Sequence, residues 1–202
     1  MKRSKLKDLT IHITDGEHSS VTDDVNGDYF LLSNKNIVDG NIVITDADRK
    51  ISKSTFEKVN KRTKLDIDDV IISTVGSIGK TAIIKEKSNY DFQRSVGIIK
   101  CDKEQILPEY LLYYFNLPSV QKRLVKLSKG AIQKCLFIND LEELLIDYPE
   151  TIEEQNRIVS SLTDIDAQIQ RNNNMVHKLQ SNDTTISCFS MKGEMGYENI
   201  IA

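Results

Sequence analysis

The sequence predicts an α+β fold: a mixed, β-rich domain with helices, followed by a long C-terminal coiled-coil helix. Short apolar runs between turn residues dominate residues 29–100, which is typical of strands. Helical periodicity dominates residues 109–182, and its last part carries an apolar stripe that recurs about every 3.5 residues, as in coiled coils. We therefore predict a domain at 1–150, a long helix at 151–182 and a disordered tail at 183–202.

The predicted strands come first along the chain. After a basic tail at 1–5, which we expect to be mobile, Tyr29–Leu32 forms a short apolar strand. Asp39-Gly40-Asn41 predicts the tight turn of a hairpin. The strongest strand is 70–75, and its turn at 76–80 leads into a further apolar run.

Three segments before the C-terminal helix have helical patterns. Residues 51–64 carry apolar positions among basic residues, and Pro108 opens a helix at 109–116. Ser119 is placed to cap a third helix, which stops at Gly130.

The C-terminal helix begins with Thr151 and Glu154, which are spaced as a capping box. Asn172–Asn174 favour one alternative, a helix that ends near Arg171 and restarts. In the other, the helix is continuous and about 45 Å long, and a buried Asn172 fixes the register. The chain has no second heptad segment, so we expect another copy or another subunit to pair with the heptad stripe, which comprises Ile158, Leu162, Ile165, Ile169, Asn172, Val176 and Leu179.

The composition indicates a cytoplasmic protein without a membrane segment. No run of 18 apolar residues occurs, and the N-terminus is not apolar. The three cysteines are odd in number and widely spaced, which favours reduced thiols.

Charge is strongly segregated along a chain whose net charge is −3. Residues 49–64 carry seven bases and one acid, residues 116–136 carry five bases and no acid, and residues 138–154 carry seven acids and no base. Such segregation predicts one surface suited to phosphates and another suited to a different partner, although ordinary solvated faces are the alternative.

No catalytic or metal-binding pattern stands out. The segment Gly76–Thr81 is similar to a phosphate-binding P-loop, but Thr74 occupies the place of that motif's first glycine. We expect a strand-to-strand turn there instead. No pair of the three histidines has metal-ligand spacing, so we predict neither a metal site nor an enzyme.

Five separated segments carry short distinctive motifs: Asp15-Gly16-Glu17-His18, Phe30–Ile37 with Asp39-Gly40, Asp69–Ser73 with Gly76–Gly79, Gly130–Leu136, and Glu154–Ile158 with Leu162, Ile165 and Asp166. In this order they resemble blocks of the specificity subunits of type I restriction–modification systems. Each block is weak by itself, but five in family order are specific. Asp68 departs from the family, which usually has glycine there, and this puts that turn in doubt.

The resemblance implies a target-recognition domain at 1–150 and a conserved spacer helix at 151–182. A complete subunit of the family has two of each, so this chain resembles half a subunit. The resemblance therefore implies a homodimer that reads a bipartite, palindromic DNA site and docks methyltransferase and restriction subunits. Those partners would hold S-adenosylmethionine, ATP and magnesium, and this chain would have no cofactor and no turnover of its own.

We expect DNA contacts from basic and amide side chains in loops and on the basic helix. The candidates are Asn34, Asn36, Lys61, Arg62, Lys64, Ser77, Lys80, Gln93, Arg94, Lys129, Gln133 and Lys134. For each one, a solvated surface residue is the simpler interpretation. The alternatives for the whole chain are a homodimeric coiled-coil adaptor without DNA specificity and a small nucleotide-binding enzyme around Gly76–Thr81.

Overall fold

A four-stranded antiparallel sheet lies at the centre of the first of two units in this computed structural model. From one edge to the other, its strands are Thr10–Asp15, Val96–Cys101, Val70–Ser73 and Thr81–Ile83. The structure describes residues 1–87 and 89–197, and no helix among them is both long and apolar enough to cross a bilayer. The first unit spans Met1–Val159 and the second begins at Ser160. The mixture of helix and sheet with a long C-terminal helix confirms the predicted fold class.

The strands are short and most lie before residue 102. They are β1 Lys2–Lys5, β2 Thr10–Asp15, β3 Tyr29–Leu32, β4 Ile37–Val38, β5 Asn41–Ile42, β6 Lys50–Ile51, β7 Val70–Ser73, β8 Thr81–Ile83, β9 Tyr90–Phe92, β10 Val96–Cys101 and β11 Leu145–Tyr148. The helices are α1 Lys53–Thr63, α2 Pro108–Asn116, α3 Pro118–Leu127, α4 Ile138–Glu142 and α5 Ile152–Tyr197. Short 3-10 helices span Leu6–Leu9 and Asn34–Asn36.

Both faces of the central sheet are buried. Alternate residues of a strand point to opposite faces, so Val70 and Ile72 pack with α2 and α3 while Ile71 packs on the other side with Phe92. This two-sided burial explains why the sequence of β7 is a continuous apolar run rather than an alternating one.

A smaller sheet of order β6-β3-β9 carries α1 on its surface. Tyr29 of β3 stacks on Phe56 of α1, with 4.6 Å between ring centroids. The predicted hairpin forms, but its paired strands are only Ile37–Val38 and Asn41–Ile42. Strand β3 lies outside it and pairs with β6 and, in parallel, with β9.

The basic N-terminal segment is a strand rather than a mobile tail. Strand β1 pairs antiparallel with β11, more than 130 residues away in the chain. Arg3 contacts Asp147 at 2.6 Å, and Lys2 contacts Glu150 at 2.7 Å. The segment is ordered by this long-range pairing with the acidic stretch that precedes α5, and local pattern cannot reveal such a pairing.

Proline starts both middle helices. Pro108 opens α2, as expected, and Pro118 opens α3 with Leu117 as its N-cap residue. Ser119 therefore does not cap α3. A proline at the first helical position lacks only an N–H that would have had no partner there anyway, which explains both starts.

Helix α5 begins at Ile152, where the Thr151 hydroxyl accepts from the Glu154 amide at 3.2 Å, which is one of the two hydrogen bonds of the predicted capping box. It continues without a break through Asn172–Asn174. Its backbone continues as helix to Tyr197, beyond the boundary predicted at residue 182, while residues 198–202 of the predicted disordered tail lie outside the described residues.

Gln155 ties the first turns of α5 to the rest of the first unit. Its side chain is fully buried, and its oxygen accepts from the Leu107 amide at 2.9 Å. Its nitrogen donates to the carbonyls of Gln105 and Pro149. A glutamine in the fifth family block thus has a structural function that the heptad pattern does not indicate.

Asp68, the departure from the family pattern, has φ of +68°, in the left-handed region that glycine adopts most easily. Aspartate tolerates this region better than most residues do. Replacing Asp68 by Gly should raise the free energy of unfolding by about 0.5 kcal/mol, because it removes the Cβ strain. Thermal unfolding measures this effect.

The control for that change is Asp68→Asn. It removes the exposed ion pair with Lys103 but keeps a side chain suited to the left-handed region. Equal or lower stability of the glycine variant relative to the asparagine variant would contradict the strain.

Candidate nucleic-acid interface

A groove of about 710 Å³ opens where three of the five motif segments meet. One wall is the segment after β2, with Asp15 and His18. Thr74 and Val75, which follow β7, and Arg94, which precedes β10, also line it. The opposite wall is formed by Lys129, Gln133 and residues 135–140.

The first wall is held in place by close backbone approach. Gly16 donates to the Val96 carbonyl at 3.0 Å, and Glu17 donates to the Phe92 carbonyl at 2.7 Å. A Cβ on Gly16 would lie 2.2 Å from the Phe92 oxygen, so only glycine fits there. This contact is the physical reason for the glycine in the Asp15-Gly16-Glu17-His18 motif.

Side chains complete the first wall. His18 and Asp15 form a hydrogen bond of 2.6 Å between Nε2 and Oδ2. The Arg62 guanidinium of α1 donates to the carbonyls of Asp15 and Gly16. The backbone amide of Ser19, more than Arg62, lowers the pKa of Glu17, so this carboxylate stays ionised.

The floor of the groove, formed by Thr74 and Val75, follows a buried serine that fixes the next turn. Ser73 is fully buried, and its hydroxyl accepts from the Lys80 amide at 2.8 Å and donates to the Ser77 carbonyl. These bonds fix the turn from β7 to β8, with Gly76 and Gly79 at positive φ. The turn joins two antiparallel strands, as predicted, and no helix follows it, so the P-loop interpretation is excluded.

The second wall is a loop closed at its base. Lys129 and Cys135 exchange two backbone hydrogen bonds of 2.8 Å. Lys134 accepts from the Gly76 amide at 3.0 Å, which joins this loop to the floor. Lys129 also contacts Asp140 at 3.0 Å and lies over the Phe137 ring, so its charge is partly balanced.

The sequence matches the type I restriction modification DNA specificity domain over residues 1–180. The chain belongs to this family. It is 29% identical over 177 residues to the type I restriction enzyme EcoBI specificity subunit of Escherichia coli, a match that covers 86% of this chain and 37% of that protein.

Two solved structures show the same fold. The S subunit of a type I restriction–modification system from M. genitalium has a TM-score of 0.59 at 17% identity, covering 84% of this chain and 40% of the other. The HsdS subunit of Thermoanaerobacter tengcongensis has a TM-score of 0.57 at 20% identity, covering 84% and 38%. The chain thus spans well under half the length of these relatives, and the resemblance stated from the motifs is confirmed.

Within this specificity-domain fold, the groove brings together three of the predicted site residues, Arg94, Lys129 and Gln133. Asn34 lies next to them, because its Nδ2 donates to the Val75 carbonyl at 2.7 Å. Lys134 is exposed at the end of the second wall. Their contacts with DNA stay a prediction.

The side chain of Asn36 is buried and forms its hydrogen bonds within the domain. It is 3% exposed, its oxygen accepts from the Ser33 amide, and its nitrogen donates to the Val43 carbonyl. Burial alone would raise the pKa of Asp48, but hydrogen bonds from Asn36, Lys35 and Thr45 outweigh it and hold that pKa well below its usual range. Asn36 thus organises the Ser33–Asp48 segment and has no exposed amide for a base.

The remaining predicted residues do not line the groove. Ser77 and Lys80 are exposed on the β7–β8 turn, and Gln93 is half-buried beside Arg94. Lys61 and Lys64 are exposed at the end of α1, where Lys64 has φ of +49°. Arg62, by contrast, is bound to the first wall, so reversing its charge would disturb that wall as well as any DNA contact.

Sequence reasoning missed Asp15, His18 and Phe137 as groove residues. The signal for the first two was present in the motif Asp15-Gly16-Glu17-His18, which served only to identify the family. Among the residues that the structure describes, no cluster of carboxylates, histidines and cysteines could hold a metal ion.

Proposed function

We propose that this chain recognises DNA sequence as a specificity subunit of a type I restriction–modification system, with the groove as its base-reading surface. One observation carries this proposal: motif segments more than 100 residues apart in sequence converge on one groove that contains Arg94, Lys129 and Gln133. Arginine and glutamine are the side chains that form paired hydrogen bonds with guanine and adenine edges.

Exposed cations outside the groove suit the phosphate backbone. Lys134 and Lys80 lie on the two loops that Gly76 joins, Lys61 lies on α1, and Lys64 directly follows that helix. Phosphate contacts position a protein on a duplex, and base contacts then specify the sequence. The groove's carboxylates repel DNA only weakly, because each has a cation beside it: Arg62 lies 3.8 Å from Asp15, and Lys129 lies 3.0 Å from Asp140.

The decisive experiment is methylation mapping in cells that carry this chain with methyltransferase subunits. We expect one bipartite, palindromic motif, because two copies joined through the heptad stripe would present two equal recognition domains. Absence of any motif-specific methylation that depends on the chain would contradict the function.

The methyltransferase and restriction subunits would carry S-adenosylmethionine, ATP and magnesium, and this chain would remain non-catalytic.

A binding measurement tests the phosphate contacts directly. Replacing Lys134 by Gln should weaken binding to target and scrambled duplexes alike, and should reduce the slope of log K against log[salt] by about one. Fluorescence anisotropy over a salt series provides the measurement. The matched control is Lys2→Gln on β1, where the lysine contacts Glu150 and should leave the slope unchanged.

The second candidate function is a homodimeric coiled-coil adaptor without DNA specificity. It is favoured by the exposure of the heptad stripe, where Ile165 and Ile169 are each about half exposed in the single chain. The two functions differ in one result: an adaptor shows no salt-dependent affinity for duplex DNA, and Lys134→Gln would not alter it.

A further inference from the structure

The loop that forms the second wall carries an apolar side chain whose position the fold does not explain. Residues 130–134 connect Lys129 to Cys135, and Ile132 is the middle residue. Its relative exposure is 104%, so its whole side chain lies in solvent. It belongs to none of the apolar clusters formed by the described residues.

The loop holds Ile132 in a defined position. Besides the paired bonds between Lys129 and Cys135, Leu136 donates to the Thr74 carbonyl at 2.8 Å. Gly130 has φ of +113°, and a Cβ there would lie 2.2 Å from the Gln133 oxygen, so the tight return of the loop needs glycine. A side chain presented by a constrained loop loses little entropy when it binds, which favours a binding function.

The residues beside Ile132 indicate which kind of ligand surface would pack against its side chain. Gln133 lines the groove, Lys134 follows it, and Lys129 stands at the base of the loop. Ammonium and amide groups suit phosphates and base edges, but an aliphatic side chain gains nothing from either. Its complement on DNA is the apolar surface of a base pair, which is the thymine methyl group or the face of a base exposed at an opened step.

We propose that Ile132 is a specificity-determining residue that contacts the apolar surface of a base pair in the target site. This inference rests on the DNA recognition proposed above. It adds an apolar contact to the polar residues of the groove, and it assigns discrimination between bases to a residue outside the set expected from polar side chains.

The test compares the full chain with Ile132→Ala on two duplexes, the target mapped by methylation and a scrambled duplex of equal length. The variant should bind the target about tenfold more weakly, the usual effect of losing one base contact. Its affinity for the scrambled duplex and its salt slope should not change, because no phosphate contact is lost. The control is Ile11→Ala on β2, an isoleucine that is 75% exposed.

Two modified duplexes distinguish the sources of the apolar contact. With uracil in place of thymine, a loss seen for the wild-type chain but not for Ile132→Ala identifies a methyl contact. With 2-aminopurine in the target, a rise in fluorescence that needs Ile132 identifies an opened step. Either result supports the proposal.

Failure of this inference differs from failure of the proposed function. If the wild-type chain binds its target but Ile132→Ala binds it equally well, the assignment of Ile132 is overturned and DNA recognition stands. An equal loss on both duplexes with a smaller salt slope also overturns it, because that result describes a backbone contact. If the wild-type chain shows no salt-dependent DNA affinity, the proposed function itself is overturned.

Discussion

Replacing Lys100 by Met should lower the free energy of unfolding by about 3–5 kcal/mol, because it leaves the Asp69 carboxylate buried without its partner. The Lys100 Nζ lies 2.5 Å from Asp69 Oδ2, and the two side chains are 18% and 6% exposed. The same ammonium donates to the Lys64 carbonyl at 2.7 Å, so it also ties the end of α1 to β10. Urea denaturation at pH 7 measures the loss.

The effect should depend on pH. Burial raises the pKa of Asp69 even though Lys100 opposes that change, so the ionised carboxyl is less favourable in the folded chain than in water. Without Lys100 the pKa should rise further. A raised folded-state pKa means that the folded variant binds a proton more readily than the unfolded one, so its deficit should shrink as the pH falls through that pKa. A deficit that grows on acidification would contradict this account.

The matched control is Lys103→Met, three residues along the chain. Lys103 contacts the neighbouring carboxylate, Asp68, also at 2.5 Å, but the lysine is 57% exposed and the aspartate 36%. Exposed pairs contribute little because water screens them, so we expect a change below about 1 kcal/mol. Equal losses in the two variants would show that burial of Asp69 is not the cause.

Most elements of the fold follow from local sequence signals. The apolar run of β7, the turn at Gly76–Gly79 and the prolines that open α2 and α3 each specify their structure through neighbouring residues. The exceptions depend on distant partners. Strand β1 is ordered by β11, and β3 pairs with β6 and β9 rather than with the hairpin that follows it. Single-sequence patterns contain no information about such pairings.

In the candidate site, too, some features follow from local sequence and others depend on residues that are distant in the chain. Basic and amide residues could be nominated because their chemistry suits DNA, and Arg94, Lys129 and Gln133 do line one groove. Whether a polar side chain is free depends on its neighbours in space, so Asn36 and Arg62 could not be separated from the others by sequence. Ile132 was missed because an isoleucine in a sequence is expected in the core, and only its exposure reveals its position.

If two copies pair through the heptad stripe, as proposed, replacing Leu162 by Asp should convert the dimer into monomers, because it places a charge in an apolar interface. The heptad stripe is continuous on α5, and its members remain partly exposed in the single chain: Ile158, Ile165, Ile169, Val176 and Leu179 are 39–59% exposed. A paired helix would remove this surface from water, at about 25 cal/mol per Å². Asn172 would lie in the same interface, where an amide favours one register.

Sedimentation equilibrium measures the change in mass, and Ser160→Asp provides the control. Ser160 is exposed and lies two positions before Leu162, about 200° away around the helix, so it introduces the same charge away from the heptad stripe. If Leu162→Asp keeps the mass of the wild-type chain, the heptad stripe is not the dimer interface. A monomer carries only one recognition domain, so it gains nothing from a second half-site. If Leu162→Asp becomes monomeric and also loses its preference for a duplex with two half-sites over a duplex with one, the spacing of the two recognition domains depends on α5.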